Sequence, residues 1–472
     1  KEPLPHFAGS GSFGYTSTAV YDMISIRSPG REGDHLNVKI KALAFVLMAV
    51  LLLCGCGQKS ETAAATPAQA VTASAAQSST ARPVSTGVTP EQFGAKGDGI
   101  ADDLRALQAA MQQASASGRP LELTAGAVYR FSSCLGLPSG LTIQGNGAVL
   151  LSDIQYPDLR EDRVAVELMK DSDDDRAHDV RLKNVTFRPA DSCQANYMLR
   201  VMLARNVEFV GCTFDCEPNE WGRCAADLYG GNENIRFEGC VFRQMTSGAS
   251  GGIWVRNWTD RVESRNIRFQ NCEFYKSGAD ELLAVWGWGG AVRDVVLSGC
   301  SFYETQTQEG LDADHRPVWF ITLGQSGTTD VRMEDCTVRA EYCETIFRMV
   351  GDKTRAVVDN CDITMRQPDS MAKHDMKKGA NPMLARGNDR ADGSTVIQNS
   401  RITLSGDNGR RICYQLSALK GNTLDVSLGY GIASTKEVSG NTIRGRIRHK
   451  VFQDCSGVEN NNVEVRRFSI LG

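Results

Sequence analysis

One six-residue pattern recurs along the chain and constrains its fold more than any other feature. It reads apolar, x, x, then Cys, Asn or Ser, x, apolar. After a first copy at Ile143–Ala148, it stands at Phe209–Phe214, Phe237–Phe242, Phe269–Phe274, Leu297–Phe302 and Met333–Val338. It continues at Val358–Ile363, Ile397–Ile402, Leu419–Leu424, Val438–Ile443 and Val458–Val463. The fourth residues, from Cys212 to Asn461, lie 19 to 39 residues apart. Periods in this range belong to solenoids and propellers. Short β-type runs such as Ile235-Arg236-Phe237 accompany each copy, bounded by Gly, Asn and Asp. No helical stripe separates the copies, which excludes leucine-rich and tetratricopeptide arrays. A propeller blade needs four strands in ~40–50 residues, more than the shortest intervals hold. The remaining solution is a coil of three short strands per turn, an all-β parallel β-helix. About 12 coils stacked at ~4.8 Å make a rod roughly 50 Å long.

In stacked coils, like positions form columns. Cys212, Cys240, Cys272, Cys300, Cys336 and Cys361 are expected to form a buried thiol ladder. Asn422, Asn441 and Asn461 are expected to form an amide ladder, each side chain bonding to the next. These residues are read as packing and not as metal ligands, because no CxxC or His companion accompanies them. No metal site is assigned. Cys216 and Cys224 differ: they flank one insertion and are expected to form a disulfide in an exported protein.

The front of the chain reads as an address. Lys39 and Lys41 precede the apolar run Ala42–Leu53. This is the plan of a secretory signal, and the run is shorter than the ~20 residues a spanning helix needs. Leu53-Cys54-Gly55-Cys56 resembles a bacterial lipobox, which implies cleavage before Cys56 and lipid on its thiol. Gly57 in the following position implies the outer membrane by the same resemblance. Residues 1–35 are read as a non-native upstream segment, 36–56 as the lipoprotein signal, and 57–87 as a flexible Ala/Thr/Ser-rich tether. Residues 88–472 are the β-helix domain. The expected location is the outer membrane, facing the periplasm or the cell surface. A net charge of −4 argues against a nucleic-acid partner, 41 % hydrophobic residues suffice for a sizeable core, and a charged fraction of 23 % excludes wholesale disorder.

Phe93-Gly94-Ala95-Lys96-Gly97-Asp98-Gly99 is turn-rich, and Asp102-Asp103 follow. Apolar residues at 100, 104, 107, 110 and 111 predict an amphipathic helix over Ile100–Ala116. Such a helix would cap an open coil end. This opening resembles that of the pectate-lyase-like right-handed parallel β-helix superfamily, which includes polygalacturonase-type hydrolases and phage tailspikes. The resemblance extends over roughly residues 88–472. Asp98, Asp102 and Asp103 are read as turn and cap residues.

A second strand follows each ladder residue by some 13–14 residues. Its outward side chains are expected to line a groove along the rod. This row carries Arg200, Arg256, Arg348 and Arg386, with Trp286 and Trp288 among its aromatics. Aromatic faces stack on sugar rings and Arg forks bind carboxylates, so the expected partner is an acidic polysaccharide. Asp280-Glu281, ahead of Leu282-Leu283-Ala284-Val285, resembles the paired acids of polygalacturonase-type hydrolases. Ala279 is extra, Glu281 replaces an Asp, and that family's Asn-Thr-Asp, Gly-His-Gly and Arg-Ile-Lys segments are absent. Asp312, Asp314 and His315 stand on the next coil.

Hydrolysis needs an acid and a base across the glycosidic bond. Asp280 or Glu281 with Asp312 or Asp314 offers such a set. A lyase needs a base, such as Arg256, Arg348 or His315, and a cation; Ca²⁺ is expected only in that case. The function read from the sequence is a polysaccharide-active enzyme, glycoside hydrolase or lyase, acting on an acidic glycan. The alternative is a non-catalytic glycan-binding or adhesive surface protein.

Overall fold

The structure, a computed structural model, describes residues 87–466. Within that span, 156–162, 169–175, 217–223, 246–251, 258–261, 277–280, 305–318, 342, 368–381, 389–392 and 407–408 are not described. The expected upstream segment, signal peptide, lipidated Cys56 and all but the last residue of the tether therefore lie outside the described residues.

The described chain winds into a parallel β-helix with three faces. The first face is a 14-stranded parallel sheet running from Asp98–Asp102 to Asn462–Arg466. It is longer than the 12 coils expected because Asp98–Asp102 and Val128–Phe131 form two coils ahead of the first recognisable repeat. The other two faces join in one sheet, because Leu283–Ser298 and Trp319–Glu334 each run unbroken through both. Each strand pairs with its counterpart one turn earlier and one turn later, as Phe209↔Phe237 and Phe237↔Phe269 do.

The repeat places the chain's turns. All ten central residues from Cys212 to Asn461 follow a Gly, Asn or Asp whose φ lies between 51° and 64°. A left-handed residue bends the chain sharply from the third face to the first, and these residue types adopt it at least cost. At Gly299 (φ 63°) an added Cβ would also collide with the Asn271 side chain one coil earlier. The inward residue then lands at the same height on every coil. The six expected ladder cysteines are all buried, and each thiol approaches a carbonyl of the preceding coil, as Cys240 Sγ does Phe209 O at 3.3 Å. The amide ladder forms as expected. Asn422 Nδ2 donates to Asn441 Oδ1 at 3.0 Å, and Asn441 Nδ2 to Asn461 Oδ1 at 2.9 Å.

Between the ladders the interior is a stack of rings. Phe187, Phe214, Phe242, Phe274 and Phe302 follow one another at centroid distances of 4.8, 4.9, 5.0 and 4.5 Å. Phe209, Phe237 and Phe269 make a second column at 4.8 and 5.0 Å. These distances match the inter-strand repeat, so ring stacking and backbone pairing demand the same geometry.

The capping helix spans Leu104–Ser117, shorter at its start than the Ile100–Ala116 expected. Residues 98–102 are instead the first strand, and Ile100 is 80 % exposed on it. Ala106, Leu107, Ala110, Met111 and Ala114 form the buried face of the helix. The acids of the opening are structural, as read. Asp103 accepts from Lys96 N (2.7 Å) and Gly97 N (3.0 Å), and Asp98 accepts from Ile100 N and Ala101 N.

Asn441 tests the ladder. Its side chain donates to Leu419 O and Asn461 Oδ1 and accepts from the amide and backbone N–H of Asn422. Asn441→Ala leaves several of these groups buried without partners. A loss of roughly 3 kcal/mol in unfolding free energy is expected by denaturant titration.

Candidate functional site

The row of outward residues expected on the second strand exists as one column on the second face. Strand register aligns Arg200, Asp227, Trp254, Ala284, Thr322, Arg348, Arg386 and Tyr414, one per coil. Trp254 belongs to a small cluster with Cys224 and Ala284, separate from the interior, and Tyr197 and Trp286 pack against it. Trp254 and Trp286 therefore face outward.

At its N-terminal end the column is an ion network. Asp227 is fully buried. Arg256 grips it with two bonds, Nε to Oδ1 and Nη2 to Oδ2, both 2.7 Å, and Arg200 Nε reaches Oδ2 at 3.2 Å. Rings enclose the guanidinium groups. Arg256 lies 4.2 Å from the Trp254 centroid and 5.0 Å from that of Tyr229, and Arg200 lies 4.4 Å from Tyr197. Burial disfavours the charge on Arg256, but Asp227 more than offsets it and holds the group above the usual arginine range. Arg200 and Arg256, expected to line an open groove, are instead committed to Asp227 and are 8 % and 7 % exposed. The 13–14-residue spacing already placed Asp227 in the row; its acid between two arginines one coil away on either side was the missed signal.

Further along, small residues make room. Ala284 and Thr322 are consecutive in the column, and larger side chains fold over them. Trp286 packs on the Ala284 cluster, and Glu281 Oε1 accepts from Thr322 Oγ1 at 2.7 Å. The same Glu281 oxygen lies 3.6 Å from Arg348 Nη1, and Arg348 lies 5.0 Å from the Trp319 ring centroid. Burial pushes the Arg348 guanidinium below the usual arginine range; Glu281 opposes this and the neighbouring Arg386 adds to it. Trp254 and Trp286 stack at 5.5 Å and 29°. One face of each ring is engaged with the other, and Trp254 also carries the Arg256 guanidinium. Trp254 Nε1, Trp286 Nε1 and Arg348 Nε are buried donors without hydrogen-bond partners. A buried unmet donor is costly unless a ligand supplies the acceptor.

Of the expected acids, Glu281 alone is described; Asp280, Asp312, Asp314 and His315 lie outside the described residues, as does the side chain of Trp288. Arg348 is beside Glu281, and Arg386 is its register partner one coil on. The expected disulfide is not formed: Cys216 and Cys224 are both buried thiols. Cys216 closes a strand of the first face, its N–H bonded to Arg243 O, whereas Cys224 opens a strand of the second. Cys224 Sγ turns to Ala226 O and Gly252 O, at 3.3 and 3.4 Å. Burial, with Asp227 next, pushes that thiol well above its usual range. Among the described residues no three His, Cys, Asp or Glu side chains converge to hold a metal ion, and no helix is long and apolar enough to cross a membrane.

A family model described as rhamnogalacturonase A/epimerase, pectate lyase-like, matches residues 88–301. No curated protein sequence matches the chain. Among solved structures, the fold is similar to PfbA, a surface adhesin of Streptococcus pneumoniae, at 14 % identity over 80 % of this chain and 97 % of that one, TM-score 0.46. It is similar to the A-module of the Azotobacter vinelandii mannuronan C-5 epimerase AlgE4, at 16 % identity over 81 % and 100 %, TM-score 0.43. It is also similar to a family 28 exopolygalacturonase of Yersinia enterocolitica, at 13 % identity over 81 % and 79 %, TM-score 0.42. These likenesses concern the fold alone.

Asp227→Ala strands two buried guanidinium groups. A loss of about 3–5 kcal/mol in unfolding free energy is expected, the range for breaking a buried pair. An unchanged denaturation midpoint would show that Arg200 and Arg256 do not depend on it.

Proposed function

Since the chain carries the pectate-lyase-like parallel β-helix fold, we propose that it is a polysaccharide-active enzyme cleaving an acidic glycan at Glu281 and Arg348. One observation carries this reading. A buried carboxylate and a half-buried guanidinium lie 3.6 Å apart on the second face, and the indole N–H groups of Trp254 and Trp286 on earlier coils of that face and Nε of the guanidinium itself are buried donors that the protein leaves unmet. The carboxylate of an acidic sugar is an acceptor for such donors. Indole N–H and arginine together would fix its orientation.

The same pair is equipped for proton transfer. A guanidinium pushed below its ordinary range is closer to serving as a base than a surface arginine is. Abstraction of the proton next to a uronate carboxylate, followed by loss of the leaving sugar, is lyase chemistry. Glu281, held by Thr322 and Arg348, sits where it can return a proton or position a hydroxyl. Hydrolysis would draw a second carboxylate from Asp280, Asp312 or Asp314. The adhesive alternative keeps the same donors and needs no proton transfer. We place the protein outside the inner membrane on the strength of its lipobox-like segment, with Cys56 as the lipid-bearing residue and the following tether as spacer.

Incubation with polygalacturonate and alginate separates these readings. Ultraviolet absorbance of an unsaturated uronate identifies a lyase, new reducing ends without it a hydrolase, and retention without cleavage a binder. Glu281→Gln and Arg348→Gln are each expected to lower turnover by roughly 10²–10⁴ while the melting curve shows a folded protein. Full turnover in both variants would remove the site. For the anchor, labelled palmitate is expected in the wild type and absent from Cys56→Ser.

A further inference from the structure

The outward row does not stop at Arg348. Arg348 and Arg386 are register partners on consecutive coils, about 4.8 Å apart along the rod. Like charges in register repel, and the proximity of Arg386 adds to the burial that lowers the Arg348 pKa. Arg348 has Glu281 at 3.6 Å, but among the described residues no carboxylate pairs with the Arg386 guanidinium. On the next coil Tyr414 is the register partner of Arg386, and Arg411, whose own partner is Pro382, brings its guanidinium 5.4 Å from the Tyr414 ring centroid and 5.9 Å from that of Tyr430, with its Nε buried without a partner. Tyr430 in turn stacks on His449 at 4.2 Å and 21°. Three arginines thus occupy three consecutive coils on one face, with Glu281 the one carboxylate paired with them among the described residues, in a protein whose net charge is −4.

We propose that Arg348, Arg386 and Arg411 form a track that binds successive acidic groups of one extended polyuronate, running from Glu281 toward the C-terminal coils. The proposal rests on the acidic-glycan reading above and adds direction and length to it. Two guanidinium groups in register repel, with Glu281 offsetting the charge of Arg348 alone among the described residues, and a ligand that brings one negative charge per coil relieves that repulsion. A polymer with an acidic group on every sugar has that charge pattern. The aromatic rings along the track argue against a nucleic-acid strand: Tyr414 and Tyr430 are engaged with Arg411 and His449, whereas single strands are held by bases stacking on exposed rings. Nearest Glu281 the track shares Arg348 with the proposed chemistry; Arg386 and Arg411 extend binding away from it.

The test is affinity against chain length. Galacturonate and mannuronate/guluronate oligomers from two to eight residues are titrated into the inactive Glu281→Gln protein at constant ionic strength. Affinity is expected to rise with length and level off once the track is filled. Arg386→Gln and Arg411→Gln should each weaken binding of the octamer about tenfold, and the double variant should lose most of the gain between dimer and octamer. Its salt dependence should flatten accordingly. Arg205→Gln, on the third face, controls for the loss of one positive charge and should keep the gain. If the double variant retains the wild-type length dependence, the track is wrong while the Glu281 site stands. If the wild type neither binds nor cleaves either polymer, it is the acidic-glycan reading that fails.

Discussion

The fold depends on one backbone requirement: a left-handed residue immediately before each inward ladder residue. Gly211, Gly239 and Gly299 meet it without a side chain, and Asn271, Asn360 and Asn399 with a short polar one. Because this turn has the same shape each time, each coil returns to the same azimuth whatever the length of its loops. The intervals between copies vary twofold, yet the cysteine column and both phenylalanine columns stay in line. Variation is absorbed in the loops, and the turn resets the register.

The identity of the ladder residue changes along the rod, and the hydrogen bonding of the ladder changes with it. In the cysteine section the thiol approaches carbonyls of the preceding coil, a weak contact that tolerates large Phe rings around it. From Ser400 onward, side-chain oxygens accept the backbone N–H of the preceding coil: Cys361 N bonds Ser400 Oγ, Ser400 N bonds Asn422 Oδ1, and Asn422 N bonds Asn441 Oδ1. The phenylalanine columns end earlier, at Phe269 and Phe302, whose register partners Leu297 and Val338 still belong to cysteine coils.

Much of this was legible in the sequence because stacking makes a local signal repeat. Ladder positions, the outward row and the cap all recur or follow a known turn pattern, so errors at one copy are corrected by the others. The helix start was misplaced because Ile100 fits a helical period and a strand equally well, and pairing with Val128–Phe131 decided for the strand. The roles of Arg200 and Arg256 were misread for a different reason. Whether an outward arginine meets solvent or a buried acid depends on the residue one coil away, some 27 to 29 positions distant. Periodicity locates a column; it does not state which members neutralise one another. The pairing of Cys216 with Cys224 failed likewise, since closeness in sequence did not reveal that they belong to different faces.

The position of the candidate site follows from the sizes of the residues in one column. Where Arg200, Asp227 and Trp254 succeed one another, their side chains fill the space above the sheet, and the two charges pair. At Ala284 and Thr322 the column is nearly empty, and side chains from either flank, Trp286 and Glu281, turn into the vacancy. A carboxylate thereby becomes buried on the outside of a rod, where an ordinary outward Glu would be solvated. Arg348 on the next coil supplies the opposing charge, and the crowding leaves indole and guanidinium N–H groups unmet. A repetitive scaffold can therefore place a reactive site through one or two small residues, because the column on either side stays in register.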